Sequence, residues 1–325
     1  MVGAGILRIG AIFTQLSLTF RFRLLRFPPE RRYPMKYILI LAALFVAVLP
    51  DQAFAWGPGV HLALGNAVLS NLGCLPPLLA ALLARHREAF LYGSLSADIF
   101  IGKGTSFKPG HSHNWVTGFK LLKSADNPRV AAYAYGYMTH LAADVVAHNY
   151  FVPNALAAMK SGSNLSHVYV EAQADRRFRC EHETALALLR MPNRAQDDSL
   201  LMAMERRRLP FLVKKQLLKG SLSLTGRKSW SDSLRLADRL LHASRVNRQL
   251  DEMFSLSENL VFDFLADPDN SPAVSFDPIG SGNLRLVREM RLNRCAVGPF
   301  SPDEALLAIA SPVAEACAPL ARVGG

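Results

Sequence analysis

Strand signals are scarce in this chain of 325 residues. It has few alternating β-branched runs and no Asn-Gly or Asp-Gly dipeptide, which argues against hairpin-built sheets. Cysteine is sparse as well. Cys74, Cys180, Cys295 and Cys317 lie far apart with no Cys-x-x-Cys spacing, so a thiolate zinc knuckle is excluded. They suit an oxidising compartment and leave three possible pairings, of which Cys295 with Cys317 is the most local. Acidic residues are the minority charge, 26 against 37 basic ones, for a formal net charge of +11. Residues 1–34 hold six arginines against Glu30, a net of +5, and residues 35–55 are balanced, so +6 remains on residues 56–325. That moderate basicity suits an anionic surface or a phosphate substrate and does not by itself imply nucleic acid.

A long apolar run is also missing. The longest, Tyr37 to Leu49, is short for a membrane span. It follows the basic start Met35-Lys36, is broken by Pro50 and ends at Ala53-Phe54-Ala55, which reads as a signal peptide over 35–55 with cleavage before Trp56. Residues 1–34 then read as an upstream extension, and 56–325 as a single exported domain, periplasmic or extracellular.

What the chain does have is helical periodicity. Apolar positions recur at helical intervals over His61–Leu72, Pro76–Tyr92, Val130–Tyr150, Val168–Arg190, Ser231–Phe254 and Asp303–Cys317. Loops gather at Gly102–Gly110, Ser161–Ser166 and Asp267–Gly282. We expect a compact, all-α, multi-helix domain with a metal core in 56–185 and supporting helices in 200–325. The basic stretch Arg206–Lys215 has an apolar centre. It reads as an ordinary helix with a solvated face, or as a contact for an anionic membrane surface.

The most informative string is His140-Leu-Ala-Ala-Asp144-Val-Val-Ala-His148. At 100° per residue its three polar side chains fall within about 80° on one helix stripe. Their neighbours are apolar, and a buried carboxylate between two imidazoles needs a partner for its charge, most simply a divalent metal. Six of the nine histidines cluster in the same part of the chain: His61, His111, His113, His140, His148 and His167. With Asp98, Asp144 and Glu171 they exceed what one tetrahedral ion needs.

Trp56-x4-His61, the isolated Asp98, His113-x-Trp115, His140-x3-Asp144-x3-His148 and His167-x3-Glu171, in that order, resemble the zinc-dependent phospholipase C/D family. Bacterial zinc phospholipase C and the catalytic domain of GPI-specific phospholipase D are the nearest in pattern, over roughly residues 56–185. The resemblance implies two or three zinc ions and a lipid-headgroup phosphodiester substrate. One ion would use Asp98, His113, His140 and Asp144, and a second His148, His167 and Glu171. A third would use His61, Asp144 and the freed amine and carbonyl of Trp56, with Asp98 as general base or water orienter. His111 would replace His113 or stand behind it. Choline-selective relatives have an aromatic after the equivalent of Asp98, where this chain has Ile99. They also carry an acid near the mature N-terminus, where Gly57-Pro58-Gly59 is neutral. Two other readings fit parts of the pattern: a secreted S1/P1-type single-strand nuclease, and a non-catalytic binding protein stabilised by metal.

Overall fold

The long buried helix of the domain carries His140 and Asp144 of the histidine string. It begins two residues before the expected Val130: Asn127 accepts a hydrogen bond from the Val130 N–H at 3.0 Å, and Pro128 occupies the first turn, where no backbone donor is needed. In the computed structural model, residues 56–100, 111–158, 164–178, 181–225, 244–293 and 299–311 are described. They lie within the compact unit Val46–Gly325. The upstream extension, the signal peptide, the loop 102–110, His242 and three of the four cysteines (Cys180, Cys295, Cys317) lie outside the described residues.

The described residues are helical, with no strand among them, as the missing hairpin signals require. In order they form α1 (Pro58–Ser70), α2 (Pro77–Arg85), α3 (Arg87–Ser96), α4 (Trp115–Lys123) and α5 (Pro128–Val146). Then come α6 (Val152–Ala158), α7 (Asn164–Arg177), α8 (Glu181–Arg190), α9 (Arg194–Met204) and α10 (Arg208–Thr225). The series closes with α11 (Ser244–Ala266), α12 (Ser281–Leu292) and the short α13 (Glu304–Leu307). Short 3-10 turns follow α1 and α3, the second spanning Ala97–Phe100.

α5 runs through the middle, buried on nearly every side, with α1, α3, α4 and α11 packed around it. Its closest partner is α3. Gly93 and Gly136 face each other there, and a Cβ built on Gly136 would stand 1.9 Å from the Phe90 carbonyl oxygen. One on Gly93 would stand 2.1 Å from the Tyr133 carbonyl oxygen. Two backbones approach this closely only where neither carries a side chain.

Three expected helices are divided or interrupted, and the expected Asp303–Cys317 helix stops at Leu307. The stretch Pro76–Tyr92 is two helices, because His86 leaves the helical region (φ −122°, ψ 40°) and turns the chain between α2 and α3. Periodicity cannot register one such residue when both halves keep an apolar face. Val168–Arg190 is also two helices, α7 and α8, meeting at a tight turn where the Phe178 N–H donates to the Asp175 carbonyl at 3.0 Å. Helix α5 gives way at Ala147 to a π-turn, Ala147–Phe151, so His140 and Asp144 stand on the α-helix and His148 on the wider turn that follows.

Candidate metal centre

α3 and its 3-10 turn bring Asp98 to the site, α5 brings His140 and Asp144, the π-turn brings His148, α1 brings His61, and the segment before α4 brings His113. Asp144 lies at the centre. Its Oδ1 is 3.4 Å from His61 Nε2. Its Oδ2 is 3.2 Å from His140 Nε2, 3.3 Å from His113 Nε2 and 3.8 Å from His148 Nε2. Asp98 Oδ1 lies 3.3 Å from His113 Nε2 and 3.7 Å from His140 Nε2. The His61 and His140 rings stack with centroids 3.7 Å apart. All of these groups are buried except the His113 side chain, which is 16% exposed and marks the side on which the cluster opens.

Ring orientation is set from behind. His140 Nδ1 lies 2.8 Å from the Ser94 carbonyl oxygen, which can only accept, so Nδ1 carries a proton and Nε2 faces the carboxylates. His113 Nδ1 meets the Ser112 hydroxyl at 3.0 Å. The Ser112 carbonyl is in turn held by the Tyr137 hydroxyl. His111 stands behind the cluster: its Nδ1 accepts the His113 backbone N–H at 3.0 Å. His113 reaches both aspartates.

The electrostatics separate three of the imidazoles. Burial disfavours a charge on His140, yet Asp144 and Asp98 hold its pKa up at about 9. Burial pushes His148 down to about 4 against the pull of Asp144, and burial with the nearby His140 lowers His61. Asp144 is kept well below the usual carboxylate range despite its burial, chiefly by His140 and its hydrogen bonds to imidazoles, and Asp98 is lowered in the same way. Two carboxylates therefore sit ionised beside a protonated His140 and the neutral His61 and His148.

This donor set fits zinc. Buried His61 Nε2, Asp98 Oδ2 and Asp144 Oδ1 have no hydrogen-bond partner, a state that buried polar atoms rarely hold without an ion or water. His61, Asp98 and His140 form one group, and His113, His140 and Asp144 another, each with donor atoms within 4.8 Å of one another. Imidazole nitrogen and carboxylate oxygen are zinc's preferred ligands outside cysteine. Residues 60–218 match the family model for zinc dependent phospholipase C. The chain carries a zinc-dependent phospholipase C domain. It is thereby a zinc-dependent phosphodiester hydrolase of the phospholipid-cleaving kind. No curated protein and no solved structure matches the chain.

Within this phospholipase domain, Trp56 is buried just ahead of α1. Its ring stacks on Phe151 at 4.7 Å, and its Nε1 donates to the Ser257 hydroxyl at 3.2 Å. His167 and Glu171 lie one helical turn apart on α7, and their side chains fall outside the described residues.

Sequence reasoning missed Asp175 and His182. On one continuous helix seven residues would separate them by about 10 Å. The turn at Phe178 instead brings His182 Nε2 onto Asp175 Oδ2. Asp175 Oδ1 accepts the Gly59 N–H at 2.6 Å and the Val60 N–H at 3.2 Å, capping α1 from another helix. A Cβ on Gly57 would stand 2.5 Å from that carboxyl group, which explains the glycines of Gly57-Pro58-Gly59. That pattern was the available signal: two glycines beside a helix start indicate a close approach. Asp175→Ala leaves both N–H groups without their acceptor inside the fold. We expect it to lower stability by roughly 2–4 kcal/mol, read by urea denaturation.

Proposed function

We propose that the mature chain is an exported phospholipase C-type phosphodiesterase with a zinc cluster of two or three ions. Asp98, His113, His140 and Asp144 would hold one ion. His148, His167 and Glu171 would hold another, and His61, Asp144 and the terminal amine and carbonyl of Trp56 a third. The observation that carries this reading is Asp144, whose two oxygens face four imidazole nitrogens in a buried site. Zinc, when bound, supplies the positive charge that phosphodiester hydrolysis needs at the phosphoryl group and the leaving oxygen.

The protein's own groups have separable tasks. His140, locked by the Ser94 carbonyl, keeps its inward nitrogen fixed on both aspartates. Asp98 has one oxygen against His113 and His140, and its Oδ2 is unpartnered and able to accept a hydrogen bond from water. Its lowered pKa keeps it ionised at neutral pH but makes it a weak base. It therefore orients the attacking water and takes a proton only as the oxygen–phosphorus bond forms. Burial of the remaining groups excludes competing water. Among the described residues no helix is long and apolar enough to cross a membrane. The reading of export rests on the 35–55 signal pattern, and removal of that segment would free the Trp56 amine for metal.

Asp98→Asn keeps the shape of the side chain and removes its charge. We expect kcat on phospholipid to fall by about 10²-fold or more, the usual scale for a proton-transfer or water-orienting group, with little change in KM. Hydrolysis of phospholipid vesicles, with single-stranded DNA as the comparison substrate, is the measurement. Full activity in the Asp98→Asn protein would remove Asp98 from the chemistry. Cleavage of DNA in preference to lipid would favour a nuclease instead.

A further inference from the structure

Helix α10 is apolar on two opposite sides. Its inner side is complete: Phe211, Leu218 and Leu222 are buried, and the buried Lys215 donates to Asp197 at 2.7 Å. Asp197 also accepts the Tyr92 hydroxyl at 2.5 Å. The outer side carries Leu209, Val213 and Leu217, which stand 74%, 55% and 53% exposed, with Leu212 beside them at 39%. Spaced four residues apart, the first three fall within about 80° of one another on the helix. The basic stretch Arg206–Lys215, which the sequence left as either a solvated face or a membrane contact, thus turns one of its cations inward and its aliphatic groups outward.

The charges carried by the helix and its two lead-in residues have one sign. Residues 206–225 contain six lysines and arginines and no Asp or Glu. Arg206 and Arg207 are exposed ahead of the helix, Lys214 and Lys219 lie half-buried on its flanks, and Arg208 is paired with Asp198. An aliphatic stripe bordered by cations is the chemistry of a helix lying in an anionic lipid interface. The position suits that use. Inner-face Phe211 packs against Phe100 with ring centroids 5.4 Å apart, and Phe100 ends the 3-10 turn that holds Asp98.

We propose that the outer face of α10 docks the enzyme on anionic phospholipid bilayers, inserting Leu209, Val213 and Leu217 among the lipids while Arg206, Arg207 and Lys214 meet their phosphates. This rests on the phospholipase reading and extends it from the single lipid to the surface that presents it.

The test uses the zinc-loaded mature protein and brief cosedimentation at low temperature. The vesicles are of phosphatidylcholine alone or of phosphatidylcholine mixed with phosphatidylglycerol. Wild type should bind the mixed vesicles at least about tenfold more tightly, an advantage lost in high salt. The triple variant Leu209→Ser, Val213→Ser, Leu217→Ser should lose at least about tenfold in vesicle affinity while hydrolysing a monomeric, short-chain phospholipid at the wild-type rate. Arg206→Glu, Arg207→Glu, Lys214→Glu should abolish the preference for the anionic vesicles. Unchanged vesicle binding by the serine variant would overturn the proposal. So would a wild-type dimer that the serine variant converts to monomer, because the face would then belong to a second copy. Faster amide exchange over residues 226–243 in that variant would also overturn it, because the chain's own segment would then cover the face. Vesicle binding without hydrolysis of the monomeric lipid would refute the phospholipase reading and leave the docking face standing.

Discussion

Asp144→Asn is expected to empty the site of zinc and to lower kcat/KM on phospholipid by a factor on the order of 10³, about 4 kcal/mol of transition-state stabilisation. The change is nearly isosteric, so packing around α5 is preserved and the effect is electrostatic. Asp144 is the one group facing four imidazoles, at 3.2–3.8 Å. An amide in its place removes a buried negative charge and points an N–H₂ donor at nitrogens meant for a cation. The variant also tests the charge balance of the zinc-free protein. His140 is buried, and among the influences that hold its pKa at about 9 the Asp144 charge is the largest. Without it burial prevails, and the His140 titration should move down toward or below the ordinary 6.5, observable by NMR of the imidazole protons. In wild type the same shift has a direct sign. At pH 7 His140 is protonated in the zinc-free protein, so zinc uptake must release that proton. Zinc affinity should therefore rise with pH up to about 9, where His140 loses its proton without help. Metal analysis of the purified Asp144→Asn protein decides the matter. Full zinc content at wild-type affinity would contradict the central role given to Asp144.

Gly136→Ala is expected to be the most damaging small substitution in the core. The added methyl would lie 1.9 Å from the Phe90 carbonyl oxygen and 2.8 Å from its carbon, both backbone atoms with no rotamer to give way. The only relief is separation of α3 from α5. Overpacking of a core usually costs 1–3 kcal/mol, and a clash of backbone with backbone belongs above that, at about 3–5 kcal/mol. Separation also moves the site. Ser94 on α3 holds His140 on α5 through a 2.8 Å hydrogen bond, and the turn after α3 carries Asp98. Activity should thus fall further than the loss of folded protein accounts for. Gly220→Ala on α10 is the control: nothing lies within 4 Å of its added Cβ, and in a helix interior the change should stabilise by roughly 0.5–1 kcal/mol. Thermal melts of the two proteins separate the cases. Equal melting temperatures would show that the α3–α5 contact is looser than the structure places it.

Several features were legible without any structure. Helical period is a local property, fixed by 3.6 residues per turn, so His140 and Asp144 had to share a face once Val130–Val146 was helical. Imidazole with carboxylate in that order pointed to zinc. The absence of hairpin dipeptides and alternating runs carried the all-α class. His113 and His111 were not separable by spacing, because either could reach the cluster from an irregular segment.

Other features depended on which surfaces meet, and periodicity does not encode that. A single non-helical residue at His86, and the turn at Phe178, redirect whole helices while leaving the apolar pattern intact. The π-turn shifts His148 relative to His140 by widening one turn, which no residue type announces. Asp175 reaches the start of α1 from a helix 115 residues along the chain, and Lys215 turns inward because Asp197 and Tyr92 wait there. The sequence alone determined which helix carries the candidate metal-ligating side chains and what metal they suit. The tertiary structure decided which imidazoles converge on Asp144, how near α3 stands to α5, and which face of α10 is left to solvent. The reason is physical: periodicity follows from the geometry of a single helix, whereas convergence depends on the packing of separate helices.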